Sequence, residues 1–194
     1  MKNIKYILLI LLITGCHTKR ENKNPIIDNP NNEWNKFQST NQAFTIEFPI
    51  KEIKRQAGDY FDNENIKRKS TAMKINLQDS INKLNFGYSV SYVGFNQLLT
   101  GEFELTEFYN WQKEHFKNLT GNDAIYDKQI ELYNKIGREM QFKLSNSKAV
   151  ATYRLIVKDS TYYLLQVLTS TEDSFPLNNA TKKFFDSFDF IRDN

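Results

Sequence analysis

The sequence predicts an α+β domain in which an antiparallel sheet carries helices on both faces. Three observations lead there. Several short stretches alternate apolar and polar residues with the period of a strand. One pair of them, Ala149–Val157 and Tyr162–Thr169, is apolar on both faces, as a strand pair in the middle of a doubly covered sheet must be. Two further segments, around Phe108 and Phe184, place apolar residues at helical spacing.

The domain opens with strands, and more follow after the first helix. Trp34–Phe37 and Phe44–Phe48 alternate, and Pro49 stops the second run because it lacks a ladder donor. Thr71–Leu77, Phe86–Tyr92 and Met140–Leu144 repeat the pattern. The clearest hairpin turns through Lys158-Asp159-Ser160-Thr161. With Val157 opposite Tyr162, Ala151, Tyr153 and Leu155 share a face with Leu164, Gln166 and Leu168. The other face holds Val150, Thr152, Arg154 and Ile156 with Tyr163, Leu165 and Val167.

Two helices supply the cover. Leu105, Phe108, Tyr109, His115, Phe116 and Leu119 form one stripe, with Thr106 as the expected N-cap. Leu177, Ala180, Thr181, Phe184, Phe185 and Phe188 form the second, led in by Ser174-Phe175-Pro176, and Asp189-Phe190-Ile191 returns to an extended form.

The order of these features resembles a known family. An aromatic strand and Phe44-x-Ile46-x-Phe48-Pro49 open the domain, an antiparallel meander fills it, and Phe184-Phe185-Asp186-Ser187-Phe188 closes it. That order is similar to the PsbP-like superfamily over about residues 34–191. The resemblance implies an α/β/α sandwich around an antiparallel sheet and a non-enzymatic binding or assembly role. It brings no catalytic residues.

At the N-terminus Lys2 and Lys5 precede an apolar run from Tyr6 to Ile13, then Thr14-Gly15-Cys16, an arrangement that resembles a bacterial lipoprotein signal peptide. The run is far shorter than the roughly 20 apolar residues a membrane-spanning helix needs. Ile13-Thr14-Gly15-Cys16 follows the Leu-small-small-Cys pattern with Ile for Leu, so cleavage is expected between Gly15 and Cys16. The Cys16 thiolate is the nucleophile for the lipid, and several acyl chains at about 0.8 kcal/mol per buried CH₂ hold firmly. Cys16 is the chain's one cysteine, which leaves no disulfide or cysteine-based metal site for the mature domain.

The expected organisation is therefore a signal peptide at 1–15, a lipidated cysteine with a tether at 16–33, and one domain at 34–194. The tether is polar, with Pro25 and Pro30, and as a flexible coil spans about 20–25 Å. Lys19, Arg20 and Lys23 lie beside the membrane in this arrangement. Removing the signal leaves 24 basic against 23 acidic residues, a formal +1, so the precursor's basic character is no nucleic-acid footprint. Residue 17 is His rather than Asp, which favours an outer membrane where the host has two.

Catalytic and metal chemistry find little material. The glycines after the signal are scattered singly, giving no phosphate-binding loop, and no Gly-x-Ser-x-Gly occurs. His115 falls at the margin of a helical stripe, a structural position, and no metal or cofactor is expected. Asp59, Asp62 and Glu64 cluster without EF-hand spacing. Arg154 and Gln166 lie in otherwise apolar strands and need partners where buried; a ligand is one, and an internal carboxylate such as Glu139 is the favoured one. Lys51, Lys54, Arg55, Lys67, Arg68 and Lys69 bracket a loop and form the candidate partner-binding rim.

Three readings follow, in order. The first is a membrane-anchored, non-enzymatic accessory module that binds another envelope protein. The second is a carrier whose pocket is lined by Tyr88, Tyr92 and Phe108; the third is a hydrolase built on His115.

Overall fold

The computed structural model describes residues 34–39, 43–49, 54–61, 67–76, 85–94, 102–145, 147–172 and 174–191. The expected signal peptide, Cys16, the tether, Lys51, Asp62 and Glu64 lie outside them. The described elements run β1 (Asn35–Gln38), β2 (Phe44–Phe48), β3 (Lys54–Phe61), β4 (Lys67–Asn76), β5 (Asn85–Gly94), α1 (Glu102–Thr120), β6 (Ala124–Leu132), β7 (Lys135–Lys143), β8 (Ala149–Lys158), β9 (Thr161–Ser170), α2 (Asn179–Asp186) and β10 (Asp189–Phe190).

Seven strands form one antiparallel sheet in the order β3-β4-β5-β9-β8-β7-β6, and β1-β2-β10 form a second, smaller one. The doubly apolar hairpin is central, as its composition requires, and its register is the expected one: Val157 faces Tyr162 and Leu155 faces Leu164. Its alternation splits the core into two. On one face Ala151, Tyr153, Leu155 and Val157 pack with Met140, Phe142 and the inner stripe of α1, Phe108, Tyr109 and Phe116. On the other, Ile156, Tyr163, Leu165 and Val167 pack with Phe44, Ile46 and Phe48 of the small sheet and with Phe184 and Phe185 of α2. Each fully buried phenylalanine contributes about 1.5–3 kcal/mol of transfer free energy. The cover of this second face differs from expectation: the small sheet shares it with α2, because β1, β2 and β10 each turn an apolar side toward the large sheet.

Local chemistry fixes the element ends. α2 has only eight residues, too few to stand alone, and is capped by Asn178, whose side chain accepts from the Thr181 N–H at 2.8 Å. Asn85 ties that cap to the sheet: its Oδ1 accepts from Asn178 Nδ2 at 2.9 Å and from Thr169 Oγ1 at 2.8 Å. α1 ends at Gly121, where φ is 71°, the left-handed conformation glycine adopts freely, and the Gly121 N–H donates to the Lys117 carbonyl. Thr106 is not the cap expected for α1; the helix starts at Glu102 and Thr106 is an exposed residue of its second turn.

Candidate functional site

The polar side chains of this domain gather where β6, β7 and β8 run together. Glu139 of β7 stands directly opposite Lys128 of β6 and Arg154 of β8, so all three project from the same face of the sheet. The carboxylate is fully buried, and four donors surround it: Lys128 Nζ at 2.7 Å, Arg154 Nη2 at 2.8 Å, Arg154 Nε at 3.1 Å and the Tyr126 hydroxyl at 3.1 Å. Burial pushes the Glu139 carboxyl up, but the bonds from Lys128 and Arg154 outweigh it and leave it below the ordinary carboxylate range. Burial and the Glu139 charge both raise the Tyr126 phenol, which therefore stays protonated and donates. Arg154 is the partly buried cation that the sequence leaves in need of a partner, and Glu139 is its main partner. Its remaining surface lies over the Phe185 ring, and Nη1 reaches Asp186 at 3.2 Å.

Beside this cluster the chain leading into α2 passes over β6 and β7. Gln141, fully buried, donates from Nε2 to Thr152 Oγ1 and to the Ser174 carbonyl, each at 3.0 Å. The next residue, Phe175, is 72% exposed and leans on Tyr126 with ring centroids 6.2 Å apart. On the opposite face of β6, Asp127 holds both Arg138 and, at 3.0 Å, Lys113 of α1, which ties the helix to the sheet. Burial raises the Asp127 carboxyl, the bonds from Arg138 and Lys113 lower it, and the balance is downward.

The basic rim expected between residues 51 and 69 takes a different form. Lys54 and Arg55 begin β3, and Lys67, Arg68 and Lys69 begin β4. The antiparallel register sets Lys54 opposite Lys74 and Lys69 opposite Asp59. The two basic groups therefore occupy opposite ends of a hairpin, about 13 Å apart along the strands at Arg55 and Lys69 and about 23 Å at Lys54 and Lys67, at roughly 3.3 Å per residue. They do not form one loop cluster, and Asp59 is a strand residue rather than part of a calcium-binding loop.

The aromatic pocket expected from Tyr88, Tyr92 and Phe108 is not assembled. Tyr88 and Tyr92 belong to the core beneath the small sheet, whereas Phe108 packs on the other face of the large sheet. Tyr88 is filled in by Trp34 and Phe184, and burial pushes its phenol up to about 12. His115 lies on α1 beside Trp111, the two rings stacked with centroids 5.8 Å apart, and burial lowers its imidazole to about 4. Gln166 meets Ser89, whose hydroxyl donates to Gln166 Oε1 at 3.3 Å.

Among the described residues no cluster of three His, Cys, Asp or Glu stands ready to hold a metal ion, and no helix is long and apolar enough to cross a membrane. The Phe175 contact and the Tyr126 hydroxyl bond escaped sequence reading. β6 alternates weakly because it carries Asp127, Lys128, Gln129 and Glu131 within nine residues.

No protein-family model matches the chain, and no curated protein matches it in sequence. Among solved structures it is similar to the solution structure of cyanobacterial PsbP (CyanoP) from Synechocystis sp. PCC 6803. The two share 8% identity over 81% of this chain and 92% of that one, with a TM-score of 0.50. At that identity the likeness is one of architecture, and it gives the described domain a PsbP-like fold.

Proposed function

We propose that the chain is a lipoprotein of the cell envelope, anchored through lipid on Cys16 after removal of residues 1–15. Its PsbP-like domain, an α/β/α arrangement about the large sheet, acts without catalysis as a binding or accessory module for another envelope protein. The anchor favours an outer membrane in a two-membrane host.

One observation carries this reading: the two carboxylates drawn into the sheet, Glu139 and Asp127, are each held by several donors. Glu139 is ringed by Tyr126, Lys128 and Arg154, and Asp127 by Lys113 and Arg138. A carboxylate saturated by four donors and held below its ordinary range is a poor general base. His115, the residue a hydrolase would need, has its Nε2 buried and its ring stacked on Trp111. The carrier alternative loses the pocket it was built on, because Tyr88 and Tyr92 are separated from Phe108 by the sheet. The partner surface we assign is the β3–β4 hairpin with Lys54, Arg55, Lys67, Arg68 and Lys69, preceded by Lys51; its two charged ends suit an extended acidic partner rather than a single pocket.

Mild crosslinking in the native host, recovery of the tagged chain in detergent and mass spectrometry test the reading. A stoichiometric protein partner, lost on reversing the charge of Lys67, Arg68 and Lys69, is the expected result. Recovery with no protein partner overturns the accessory role. For the anchor, Cys16→Ser should move the protein from the membrane to the soluble fraction and abolish incorporation of labelled fatty acid.

A further inference from the structure

Among the described residues the large apolar side chains that stand exposed are Phe86, Leu119, Ile125, Tyr133 and Phe175. The ladder registers bring all but Tyr133 to one end of the large sheet. β5 starts there, with Asn85 opposite Thr169 near the end of β9. Ala149 at the start of β8 faces Ser170, Lys143 at the end of β7 faces Val150, and Ala124 at the start of β6 faces Phe142. Phe86 and Ile125 therefore share an end, about 19 Å apart across the intervening strands. Each falls at a register shift, Phe86 between Asn85 and Gly87 and Ile125 between Ala124 and Tyr126.

The helices add one residue on either side. α1 finishes at this end, where the Ser145 N–H donates to the Thr120 carbonyl and Asn122 Nδ2 donates to the Lys143 carbonyl at 3.0 Å, so Leu119 borders it. Phe175 borders it on the α2 side, leaning on Tyr126, with the Ser174 carbonyl held by Gln141. Tyr133 belongs to the far end, in the β6–β7 turn, and its hydroxyl donates to the Phe188 carbonyl. One exposed apolar residue needs no account. A set gathered at one end, from 36% exposed at Leu119 to 72% at Phe175, marks an interaction surface.

Charge and chain entry point to what covers it. Lys143 and Lys148, both exposed, flank the β7–β8 turn at this end, and Lys54 and Arg55 begin β3 there. Glu172 is the exposed acid nearby, while Asp123 is paired with Lys117 at 2.6 Å, so the balance is basic. The chain also enters the domain here. Trp34, the first described residue, meets Tyr88 edge-on with centroids 5.8 Å apart, and Tyr88 is two residues along β5 from Phe86. β1 then runs away from this end: Asn35 pairs with Phe48, which packs on Phe184 beside Tyr88, whereas Gln38 pairs with Thr45, next to Phe44 and its contacts with Tyr92 and Tyr163.

We propose that this end of the domain lies against the membrane surface, with Phe86, Leu119, Ile125 and Phe175 entering the headgroup boundary and Lys143 and Lys148 meeting anionic headgroups. Separate apolar tips with cations among them suit a soft, anionic interface, and the tether from Cys16 joins the domain beside them. The proposal rests on the anchored reading, which supplies the membrane. It sets Lys67, Arg68 and Lys69 at the end away from the bilayer, open to an envelope partner.

The test reconstitutes the full chain from detergent into protein-free vesicles of phosphatidylethanolamine and phosphatidylglycerol. A benzophenone amino acid replaces either Ser147, at the proposed surface, or Lys135, at the far end, and lipid adducts are counted by mass spectrometry after illumination. Adducts from position 147 should exceed those from position 135 about fivefold. Ile125→Ser with Phe175→Ser should lower the former about threefold, and so should Lys143→Glu with Lys148→Glu. Thermal melting of both double variants shows whether they remain folded; the second changes only exposed cations. Equal yields from the two positions, no adducts from either, or yields unchanged in both folded double variants overturn the proposal. Reconstitution holds the N-terminus whether Cys16 carries lipid or the apolar run from Tyr6 to Ile13 remains, and intact mass tells which. Failure of the anchor reading is thereby read apart from failure of the docking.

Discussion

The guanidinium of Arg154 lies 4.6 Å from the centre of the Phe185 ring while two of its nitrogens hold Glu139. One side chain thus joins the buried carboxylate of β7 to the apolar face of α2. Arg suits both contacts, because its planar fork matches a carboxylate and its flat face suits an aromatic ring.

Arg154→Met should destabilise the domain by about 3 kcal/mol, the lower end of the range for breaking a buried pair, since Lys128 and Tyr126 stay on Glu139. Adding Glu139→Met should restore stability to within about 1 kcal/mol of the unaltered chain, because the uncompensated charge is then gone. Urea unfolding at neutral pH measures both. A double variant no more stable than the single one would show that the pair does more than neutralise itself.

Stability should fall as the solution is acidified, in two stages. His115 has a folded value of about 4 against 6.5 in the unfolded chain, so between those values the unfolded state alone takes up the proton and gains. The loss across that window should be about 1–2 kcal/mol once solvent screening is allowed for. Below the ordinary carboxylate value of 4.5, Glu139 adds a second loss, because its depressed folded value keeps it ionised while the unfolded chain protonates. Urea midpoints followed from pH 7 to pH 4 should decline, and His115→Gln should flatten the slope above pH 4.5.

The Phe116–Tyr153 pair is the tightest ring contact beneath α1, nearly coplanar at 3°. Phe116→Ala should cost about 3–5 kcal/mol through the cavity it leaves, and Phe116→Leu under about 1.5 kcal/mol. Equal losses in chemical unfolding of the two variants would show that shape, rather than volume, governs this site.

Asn178 should matter more than its place in a lead-in loop suggests. It caps α2 through its oxygen and binds Asn85 through its nitrogen. Asn178→Ala should cost about 1–2 kcal/mol, the upper range for an N-cap, and Asn178→Asp should recover only part of it because the donor to Asn85 is lost. Amide exchange across residues 179–186 checks both.

Much of this was readable in the sequence, for identifiable reasons. The β8–β9 register followed from two apolar faces that tolerate no one-residue slip, and the Arg154–Glu139 pair from the cost of burying an unpartnered cation. β3 was read as a charged loop because Lys54, Arg55, Gly58 and Asp59 hide its alternation, and backbone pairing with β4 overrides that composition. β6 was missed because none of its nine residues is fully buried, so no apolar period marks it. Thr106 was misread as a cap because a threonine ahead of an apolar stripe is a common helix start, yet α1 begins a turn earlier. Gln112 Oε1, His115 Nε2 and Gln141 Oε1 are buried with no hydrogen-bond partner among the described residues, and nothing in the sequence marks them; only three-dimensional packing shows which polar atoms go unmet.

The pairing of β2 with β10, Phe44 beside Phe190, sets a condition on when this domain can form. A chain that emerges N-terminus first exposes β1 and β2 long before their third strand exists. Two short strands alone are marginal, and the aromatic side chains they present have only part of their cover until Phe184, Phe185 and Phe190 arrive. Completion of this half of the core thus waits until residues 184–190 have been made, and until then β1 and β2 lack the partners that hold them in place.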